Sequence, residues 1–355
     1  MKLTVQASDL KYLTGLAARF AASRNLVPVL ATFLLTAKQG RLTIAATDLE
    51  AGIRASIPAV VEEPGSVCVD TKTLAGWAGK VTDEITLELR GDNLHLRAGR
   101  ARATLATMPA DQFPALPPEP GETYNIPGFL DAVASVAYAV SRNEARPLLR
   151  GINIALGDGK LLLTATDGLR VGMADLSVPE AQDKPWRAVT VPAPFFAKVR
   201  GDAATLALGE DHFHLLADDA HYVSRLIDGQ YPPVRSLLPQ PEFAIAVDRD
   251  ELRRAVERGS LFVREDADGN SAAILRLSES EMVISASAGG AGSAEEVLSI
   301  EGGRDLEIGF NPEFLLDAIR AVRTEKVEIG LADRRRPAVI RDGDRTHVIL
   351  PIVST

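Results

Sequence analysis

The sequence predicts an α+β protein of three similar domains, each with two helices packed on two antiparallel sheets. One observation is an internal repeat, because the stretch 18–50 reappears at 138–170 with the same separations from proline to glycine to aspartate. Another is the order of strand-like and helix-like segments, which reads as a doubled β-α-β-β-β pattern in each third of the chain. The last is a pair of proline-rich segments, 113–122 and 229–241, which interrupt both helix and sheet.

The internal repeat indicates how many domains the chain has. Ser-Arg, a proline, a glycine and Thr-Asp recur in both copies, the last pair as Thr47-Asp48 and Thr166-Asp167. A third, more divergent copy begins near Leu252. A period of roughly 120 residues exceeds that of solenoid repeats, so it indicates a triplicated domain. We expect the domains to span 1–120, 121–241 and 242–355.

The first domain starts with a strand at 2–7, followed by an amphipathic helix from about Ser8 to Ala22, with Ser8 as its cap. The helix shows the spacing of apolar residues that buries one face, at Leu10, Leu13, Leu16 and Ala17. Three strands follow, and a glycine at position 40 marks the turn between the first two. A second helix at 71–80 and three more strands complete the pattern, with a hairpin turn at 91–93.

The other two domains repeat this order of elements. Helices are predicted at 127–141 and 192–201 in the second domain. In the third, they are predicted within 243–260, after an initial strand, and at 311–322. A unit with two helices and two sheets buries one face of each helix and leaves the other in water. The solvent-facing sides of the helices would then form one continuous surface.

The charge balance limits what that surface can bind. The chain has 39 Lys and Arg against 48 Asp and Glu, a net charge of −9, which argues against a basic coat over the whole protein. Basic residues nevertheless gather near the predicted helices, among them Lys11, Arg19 and Arg200. They form either ordinary solvated helix faces or a surface for sequence-independent phosphate contact. Because aromatic residues make up only 5% of the chain, single-strand stacking and base readout are disfavoured.

Cysteine content and hydropathy indicate the compartment. The one cysteine, Cys68, excludes an intrachain disulfide and fits the reducing cytosol. It lies in a strand-like alternation, so we expect it to be buried. No apolar run reaches the ~18 residues that a membrane span needs. We therefore expect a cytoplasmic protein that does not associate with membranes.

Motifs for catalysis or metal binding are absent from the sequence. The glycine-rich segment 289–296 lacks the P-loop lysine and the dinucleotide spacing, and the strand-face pair His212 and His214 lacks further ligands. Asp48 and Asp167 could be a catalytic pair, but they occupy equivalent places in separate domains. Fixing a bend through hydrogen bonds to backbone amides is the favoured role for both. No cofactor and no metal are expected.

Matching motifs run through the whole chain in one order. In the first domain they are SRNLVPVL, LTIAATDLE and VEEPGSVCVD. In the second they are AVSRNEARPLLRGI, LLLTATDGLR and GQYPPVRSLLP, and in the third NPEFLLDAIRAV, RPAVI and HVILPI. With these motifs the sequence resembles the β sliding clamps, the β subunits of bacterial DNA polymerase III. TATDG-x-R together with GQYP-x-x-R is the most specific part of the resemblance.

The resemblance implies a DNA-clamp fold and a head-to-tail homodimer, in which six domains form a ring with twelve helices around the hole. Double-stranded DNA would be held topologically and without sequence preference, in the cytoplasm and associated with the nucleoid. The ring would keep the replicative polymerase at high effective concentration on its template. The clamp loader, other polymerases and repair proteins would bind through short linear motifs. The clamp itself would be a DNA replication processivity factor and not an enzyme.

The resemblance also assigns site residues by motif. For DNA contact they are Arg24, Lys72, Asn143 and Arg146. For a hydrophobic cleft that receives partner peptides they are Leu149, Thr166, Gly168, Leu169, Arg170, Val171, Pro232, Ser236, Leu237, Pro337, Val339, Val348, Leu350, Pro351 and Ile352. For the dimer contact they are Ala103 and Leu105, facing Leu261 and Phe262 of the other chain.

The chain departs from the family pattern at the cleft. Leu169 stands where the family often has an aromatic residue or histidine, and the tail reads Leu350-Pro351-Ile352 where Met-Pro-Met is common. Two alternatives therefore stay open. One is a specialised clamp paralogue for a repair or translesion polymerase. The other is a metal-dependent enzyme that uses Asp48 and Asp167.

Overall fold

The structure is a computed structural model, and it describes residues 1–22, 27–201, 204–217, 219–263, 272–287 and 292–353. Within these ranges the order strand, helix, three strands occurs twice in each third of the chain, with one additional strand in the first third. We call these thirds the first, second and third repeat. The predicted α+β fold with a doubled β-α-β-β-β pattern is confirmed.

The first repeat contains β1 (Lys2–Val5), α1 (Ala7–Ala17), β2 (Thr32–Lys38), β3 (Arg41–Thr47), β4 (Ala51–Pro58), β5 (Val60–Glu63), β6 (Gly65–Asp70), α2 (Thr71–Ala78), β7 (Ile85–Arg90), β8 (Asn93–Ala98) and β9 (Ala101–Met108). The second contains β10 (Tyr124–Asn125), α3 (Phe129–Ala137), β11 (Gly151–Gly157), β12 (Lys160–Thr166), β13 (Arg170–Ser177), β14 (Arg187–Pro192), α4 (Ala193–Lys198), β15 (Thr205–Leu208), β16 (His212–Ala217) and β17 (Ala220–Arg225). The third contains β18 (Phe243–Asp248), α5 (Arg249–Ser260), β19 (Ala273–Leu277), β20 (Glu281–Ser287), β21 (Ser293–Ser299), β22 (Leu306–Phe310), α6 (Pro312–Ala321), β23 (Lys326–Leu331), β24 (Ala338–Asp342) and β25 (Arg345–Ile349).

Helix α1 differs from its prediction at both ends. It begins at Ala7, which is buried, so Ser8 lies inside the first turn and its hydroxyl donates to Asp9. The prediction of Ser8 as the cap is therefore wrong, and Gln6 at that position makes no side-chain cap. The helix ends at Ala17 rather than near Ala22. The predicted apolar face is confirmed, since all four of its residues are buried.

Local geometry accounts for the ends of other helices. Asp70 caps α2 by accepting a hydrogen bond from the Thr73 amide at 2.8 Å. Gly128 precedes α3 with φ +79, a left-handed conformation that cannot continue into the helix, so α3 starts two residues later than predicted. None of the helices in the described ranges is long and apolar enough to cross a membrane.

The chain packs into two compact units, the first formed by 1–127 and 194–226. This unit contains one antiparallel sheet of thirteen strands, in the order β10-β15-β16-β17-β4-β3-β2-β6-β9-β8-β7-β1-β5. Helix α1 packs on β3, β4 and α2. The predicted burial of Cys68 is confirmed, and burial raises the pKa of its thiol. The first and second repeats are joined here because β4 pairs with β17, with Gly52 opposite Val223.

The second unit is formed by 128–193 and 227–355. Its larger sheet has the order β14-β11-β12-β13-β25-β24-β23-β18, and its smaller sheet the order β21-β20-β19-β22. Helix α3 packs on β12 and β13, and α5 packs on α6, β20 and β21. The second and third repeats are joined because β13 pairs with β25, with Val171 opposite Val348.

These two junctions follow one rule. The last strand of the first half of a repeat pairs with the last strand of the second half of the following repeat, as β4 with β17 and β13 with β25. In the third repeat, the last strand of the first half is β21, and among the described residues it pairs only with β20. In the first repeat, the last strand of the second half is β9. It pairs with β8 and, at Thr107 and Met108, with β6.

Candidate functional site

Two turns with equivalent geometry lie at the two junctions. In the second repeat, Thr166 Oγ1 donates to the Arg170 carbonyl at 2.7 Å and accepts from the Gly168 amide at 3.0 Å. In the first, Thr47 Oγ1 donates to the Ala51 carbonyl at 2.9 Å and accepts from the Leu49 amide at 3.0 Å. Both turns need a left-handed residue, which is Gly168 at φ +97 and Leu49 at φ +75. The sequence repeat is thus a repeat of backbone hydrogen bonding.

The two aspartates fix these turns. Asp48 Oδ1 accepts from the amides of Glu50 and Ala51 at 3.1 and 2.7 Å. Asp167 Oδ1 accepts from the amides of Leu169 and Arg170 at 2.9 and 3.0 Å. The favoured turn role of both residues is confirmed. Among the residues that the structure describes, no group of three or more His, Cys, Asp or Glu side chains is placed to hold a metal ion.

Arg170 is buried at the centre of a cluster of side chains beside the second turn. Its side chain is 7% exposed, its Nε lies 2.9 Å from Asp167 Oδ2, and its Nη1 lies 2.7 Å from Asp317 Oδ2 on α6. The guanidinium carbon is 4.3 Å from the ring centre of Phe314 and 5.4 Å from that of Tyr138. Two carboxylates therefore hold the edges of the guanidinium, and two rings cover its faces.

Tyr138 of this cluster also contacts the buried His347. Tyr138 Oη and His347 Nδ1 share a hydrogen bond of 2.9 Å, and their ring centres are 5.7 Å apart. Burial, and then the nearby charge of Arg345, lower the pKa of His347 to about 4, while burial raises the pKa of Tyr138. His347 is fully buried, and its Nε2 has no hydrogen-bond partner among the described residues. Both groups are therefore neutral near pH 7.

The cleft residues predicted on the strands are close together. The register places Val171 opposite Val348 and Val348 opposite Val339, and the Leu350 amide donates to the Leu169 carbonyl at 2.9 Å. Leu169 is 53% exposed and Leu350 37% exposed. Thr166, Arg170, Val339 and Val348 are buried, so they support the site from within. The remaining exposed or half-buried members are Leu149, Gly168, Val171, Pro337, Pro351 and Ile352.

The predicted residues after the second repeat lie on a segment anchored to the same sheet. Tyr231 Oη accepts from the Thr166 amide at 3.0 Å, and burial raises the Tyr231 pKa to about 12. Arg235 donates to Thr164 Oγ1 at 2.9 Å and forms an ion pair with Asp175 at 2.8 Å. These anchors leave the predicted cleft residues of the segment exposed, with Leu237 at 75%: Pro232, Ser236 and Leu237.

Three of the four predicted DNA-contact residues lie in the part of the chain that the structure describes. Arg24 lies outside the described residues, and Lys72 is exposed in the first turn of α2. Asn143 Oδ1 accepts from the Ala145 amide at 2.9 Å, which gives it a role in a local turn. A Cβ on Gly168 would lie 3.3 Å from Arg146 Nη1, so the guanidinium of Arg146 lies beside the cleft turn.

The predicted dimer-contact residues differ in exposure. Leu105 on β9 is 8% exposed and faces its own core, and Ala103 is half-buried. Leu261, at the end of α5, is 79% exposed, and its neighbour Phe262 is half-buried.

Several side chains of the cluster were not found from the sequence. Phe314 and Asp317 share one face of α6, three residues apart, and both contact Arg170. The pairing of Arg170 with Asp317 joins positions 147 apart in the chain, which no local pattern indicates. The sequence signal that could have indicated this pairing is Asp317 itself, an acidic residue between the buried positions of an amphipathic helix.

Family models account for the chain from residue 1 to residue 353. They are the N-terminal, central and C-terminal domains of the DNA polymerase III beta subunit, and they match 1–117, 126–233 and 235–353. The chain belongs to the DNA polymerase III beta subunit family. The predicted resemblance is therefore confirmed.

Relatives of this family match over nearly all of their length. The beta sliding clamp of Streptomyces coelicolor is 30% identical, over 96% of this chain and 93% of the relative. That of Pseudomonas aeruginosa is 28% identical, over 99% and 100%. The crystal structure of the P. aeruginosa sliding clamp bound to griselimycin superposes with a TM-score of 0.93 at 27% identity, covering both chains completely.

Membership of the beta subunit family settles the class of function. Sliding clamps are non-catalytic processivity factors of DNA replication, and this is the function of the chain. The alternative of a metal-dependent enzyme using Asp48 and Asp167 is wrong, since both carboxylates anchor turns in a non-catalytic family. The alternative of a specialised paralogue is not favoured by the relatives, which are named as beta sliding clamps.

Proposed function

We propose that the chain forms a head-to-tail homodimer, a ring of six domains that encircles duplex DNA. The observation that carries this proposal is the rule of strand pairing at the two junctions inside the chain. Continued to a second copy, the rule pairs β21 of one protomer with β9 of the other. This contact joins two different strands and is therefore heterologous. Two chains with three repeats each would close it into a ring. The domains are proposed to span 1–120, 121–241 and 242–355.

The exposed side chains near β21 and β9 fit such a contact. Leu261 and Val297 are large apolar residues at 79% and 58% exposure, which burial in an interface would remove from water. Arg102 on β9 is exposed, and Glu295 on β21 is exposed as well. Opposite charges on the two strands support pairing of unlike edges over pairing of like edges.

Contact with DNA is proposed for the solvent-facing sides of the helices. On α1, Lys11 is exposed beside Tyr12, which is 61% exposed, and Arg19 and Arg200 border the same shallow depression. Cationic side chains on a water-facing helix suit sequence-independent phosphate contact. Arg24, Lys72, Asn143 and Arg146 remain proposed contacts, and the position of Arg146 beside Gly168 also favours a role at the cleft.

Partner binding is proposed for the cleft around the second turn. Leu169, Leu237 and Leu350 are exposed and the paired Val339 and Val348 are buried, as expected of a site for an apolar peptide side chain. The P. aeruginosa relative binds griselimycin, which supports a ligand site on this fold. The proposed partners are the replicative polymerase, the clamp loader, other polymerases and repair proteins, each with a short linear motif. The proposed location is the cytoplasm, in association with the nucleoid.

The homodimer is tested by analytical ultracentrifugation over a range of protein concentrations. We expect a dimer at micromolar protein and a shift towards monomer in Leu261→Asp, because a charge would replace an apolar contact. Leu237→Asp is the matched control, since Leu237 is equally exposed at 75% but lies in the cleft. A wild-type chain that is monomeric at micromolar concentration, or a Leu237→Asp variant that dissociates as readily as Leu261→Asp, would contradict the proposed ring.

A further inference from the structure

Two donor atoms of Arg170 and both faces of its guanidinium are in contact with neighbouring side chains. Its Nε and Nη1 are held by Asp167 and Asp317 at 2.9 and 2.7 Å, and the rings of Phe314 and Tyr138 lie within 5.4 Å of the guanidinium carbon. Its side chain is 7% exposed. A guanidinium held in this way joins the turn at Asp167 to the helix that carries Asp317.

We call the contacts of Arg170 with Asp167 and Asp317 the brace. The brace acts on the proposed cleft through the backbone of the turn. Arg170 is the first residue of β13, and its carbonyl accepts from Thr166 Oγ1. The residue before it, Leu169, is exposed in the cleft and accepts a hydrogen bond from the Leu350 amide. Arg170 Nε is also paired with Asp167, whose Oδ1 accepts from the amide of Leu169, so Asp317, Arg170 and Asp167 form one chain of contacts that ends at the Leu169 backbone.

We propose that Asp317 is a positioning residue for the peptide cleft, which holds Arg170 and thereby fixes the turn that carries Leu169. Asp317 belongs to α6 of the third repeat, whereas the turn belongs to the second. The cleft would then depend on a helix that contributes no side chain among its predicted contacts. Because peptide binding at the cleft is itself a proposal, this role rests on the proposed function.

The first junction contains a brace of the same kind without a predicted cleft. Lys198, the last residue of α4, lies 2.6 Å from Asp48 Oδ2, and its ammonium is 5.4 Å from the ring centre of Phe20. Phe20 in turn lies 5.6 Å from Tyr222, as Tyr138 lies 5.7 Å from His347 at the second junction. The turn aspartate is tied to the second helix of the following repeat in both places, directly through Lys198 at the first junction and through Arg170 and Asp317 at the second. The first junction is therefore an internal control for a purely structural effect.

The test is the affinity of a fluorescein-labelled peptide bearing leucine and phenylalanine, measured by anisotropy on the full-length chain. We expect Asp317→Asn to weaken binding about tenfold, because one charged partner of Arg170 is lost. Asp317→Glu should recover most of the affinity. Glu313→Gln, on an exposed position of the same helix, and Lys198→Met, at the first junction, should stay within about twofold of wild type.

A spectroscopic measurement separates positioning from loss of stability. The Nε–H proton of Arg170 should exchange slowly with water in the wild type and faster in Asp317→Asn, and Lys198→Met should leave it unchanged. Equal peptide affinity for Asp317→Asn and wild type would overturn the positioning role, as would an equal loss in Lys198→Met. If the wild-type chain binds no peptide, the proposed cleft fails, and this role of Asp317 fails with it.

Discussion

At the scale of single residues, His347 carries the clearest physical prediction. It is fully buried beside Tyr138, and its pKa is lowered to about 4 by burial and by Arg345. The unfolded chain has an ordinary histidine pKa of about 6.5, so between pH 6.5 and 4 the unfolded state binds the additional proton. Stability therefore falls as the pH falls through this window.

The measurement is the free energy of unfolding of wild type and His347→Gln at pH 7 and pH 5. We expect the wild type to lose about 2 kcal/mol more than the variant between these values. His221, whose pKa burial also lowers to about 4, contributes equally to both proteins and cancels in the comparison. An identical pH dependence of the two proteins would show that His347 is not neutral and buried in the folded chain.

Single residues also show where reading the sequence is limited. Asp48 and Asp167 could be assigned to turns because their partners are the next residues along the chain. The hydrogen bond between Tyr138 and His347 joins positions 209 apart, and it exists only once β13 and β25 have paired. The motifs indicated the residues of the paired strands, such as Val171 opposite Val348, but the polar groups packed against them depend on tertiary structure.

At the scale of elements, the duplicated turn is the unit that the two junctions share. Its order of hydrogen bonds is the same in both copies, even though Leu49 occupies the left-handed position that Gly168 fills in the second. A leucine in that conformation is strained by about 1 kcal/mol or more, so the turn must be held by its other contacts. Asp48 supplies these through two amides and Lys198.

We expect Asp48→Ala to lower the free energy of unfolding by about 2 kcal/mol, because two amides and Lys198 lose a charged acceptor. Asp48→Asn keeps the Oδ1 acceptor and should lose less. Urea denaturation of the three proteins measures the difference. If Asp48→Ala were as stable as wild type, the turn role of this carboxylate would be wrong.

Elements were predicted in type and order more accurately than in extent. The doubled β-α-β-β-β order follows from local alternation and spacing, and it is present in all three repeats. The start of α1 was missed because burial of Ala7 brings the helix forward past its expected cap. The ends of α3 and α4 were overestimated, since an apolar pattern continues into turns that bury side chains without helical hydrogen bonds.

At the scale of the whole molecule, one rule of strand pairing accounts for both junctions, and β9 and β21 are the strands that we propose for a further junction between two copies. A chain of net charge −9 can still surround a polyanion if its positive charge is segregated on the helices. Binding then depends on topology more than on affinity. Phosphate contacts that are few and weak permit movement along the duplex.

Retention on circular and linear DNA tests the proposed sliding ring most directly. The purified chain is placed on nicked circular plasmid DNA by a clamp loader, and free protein is removed by gel filtration. We expect the protein to remain with the circular DNA and to be lost when a single cut makes the DNA linear. The reason is that a ring can slide off a free DNA end. Equal retention on linear DNA with open ends, or no retention on the circle, would contradict the sliding ring.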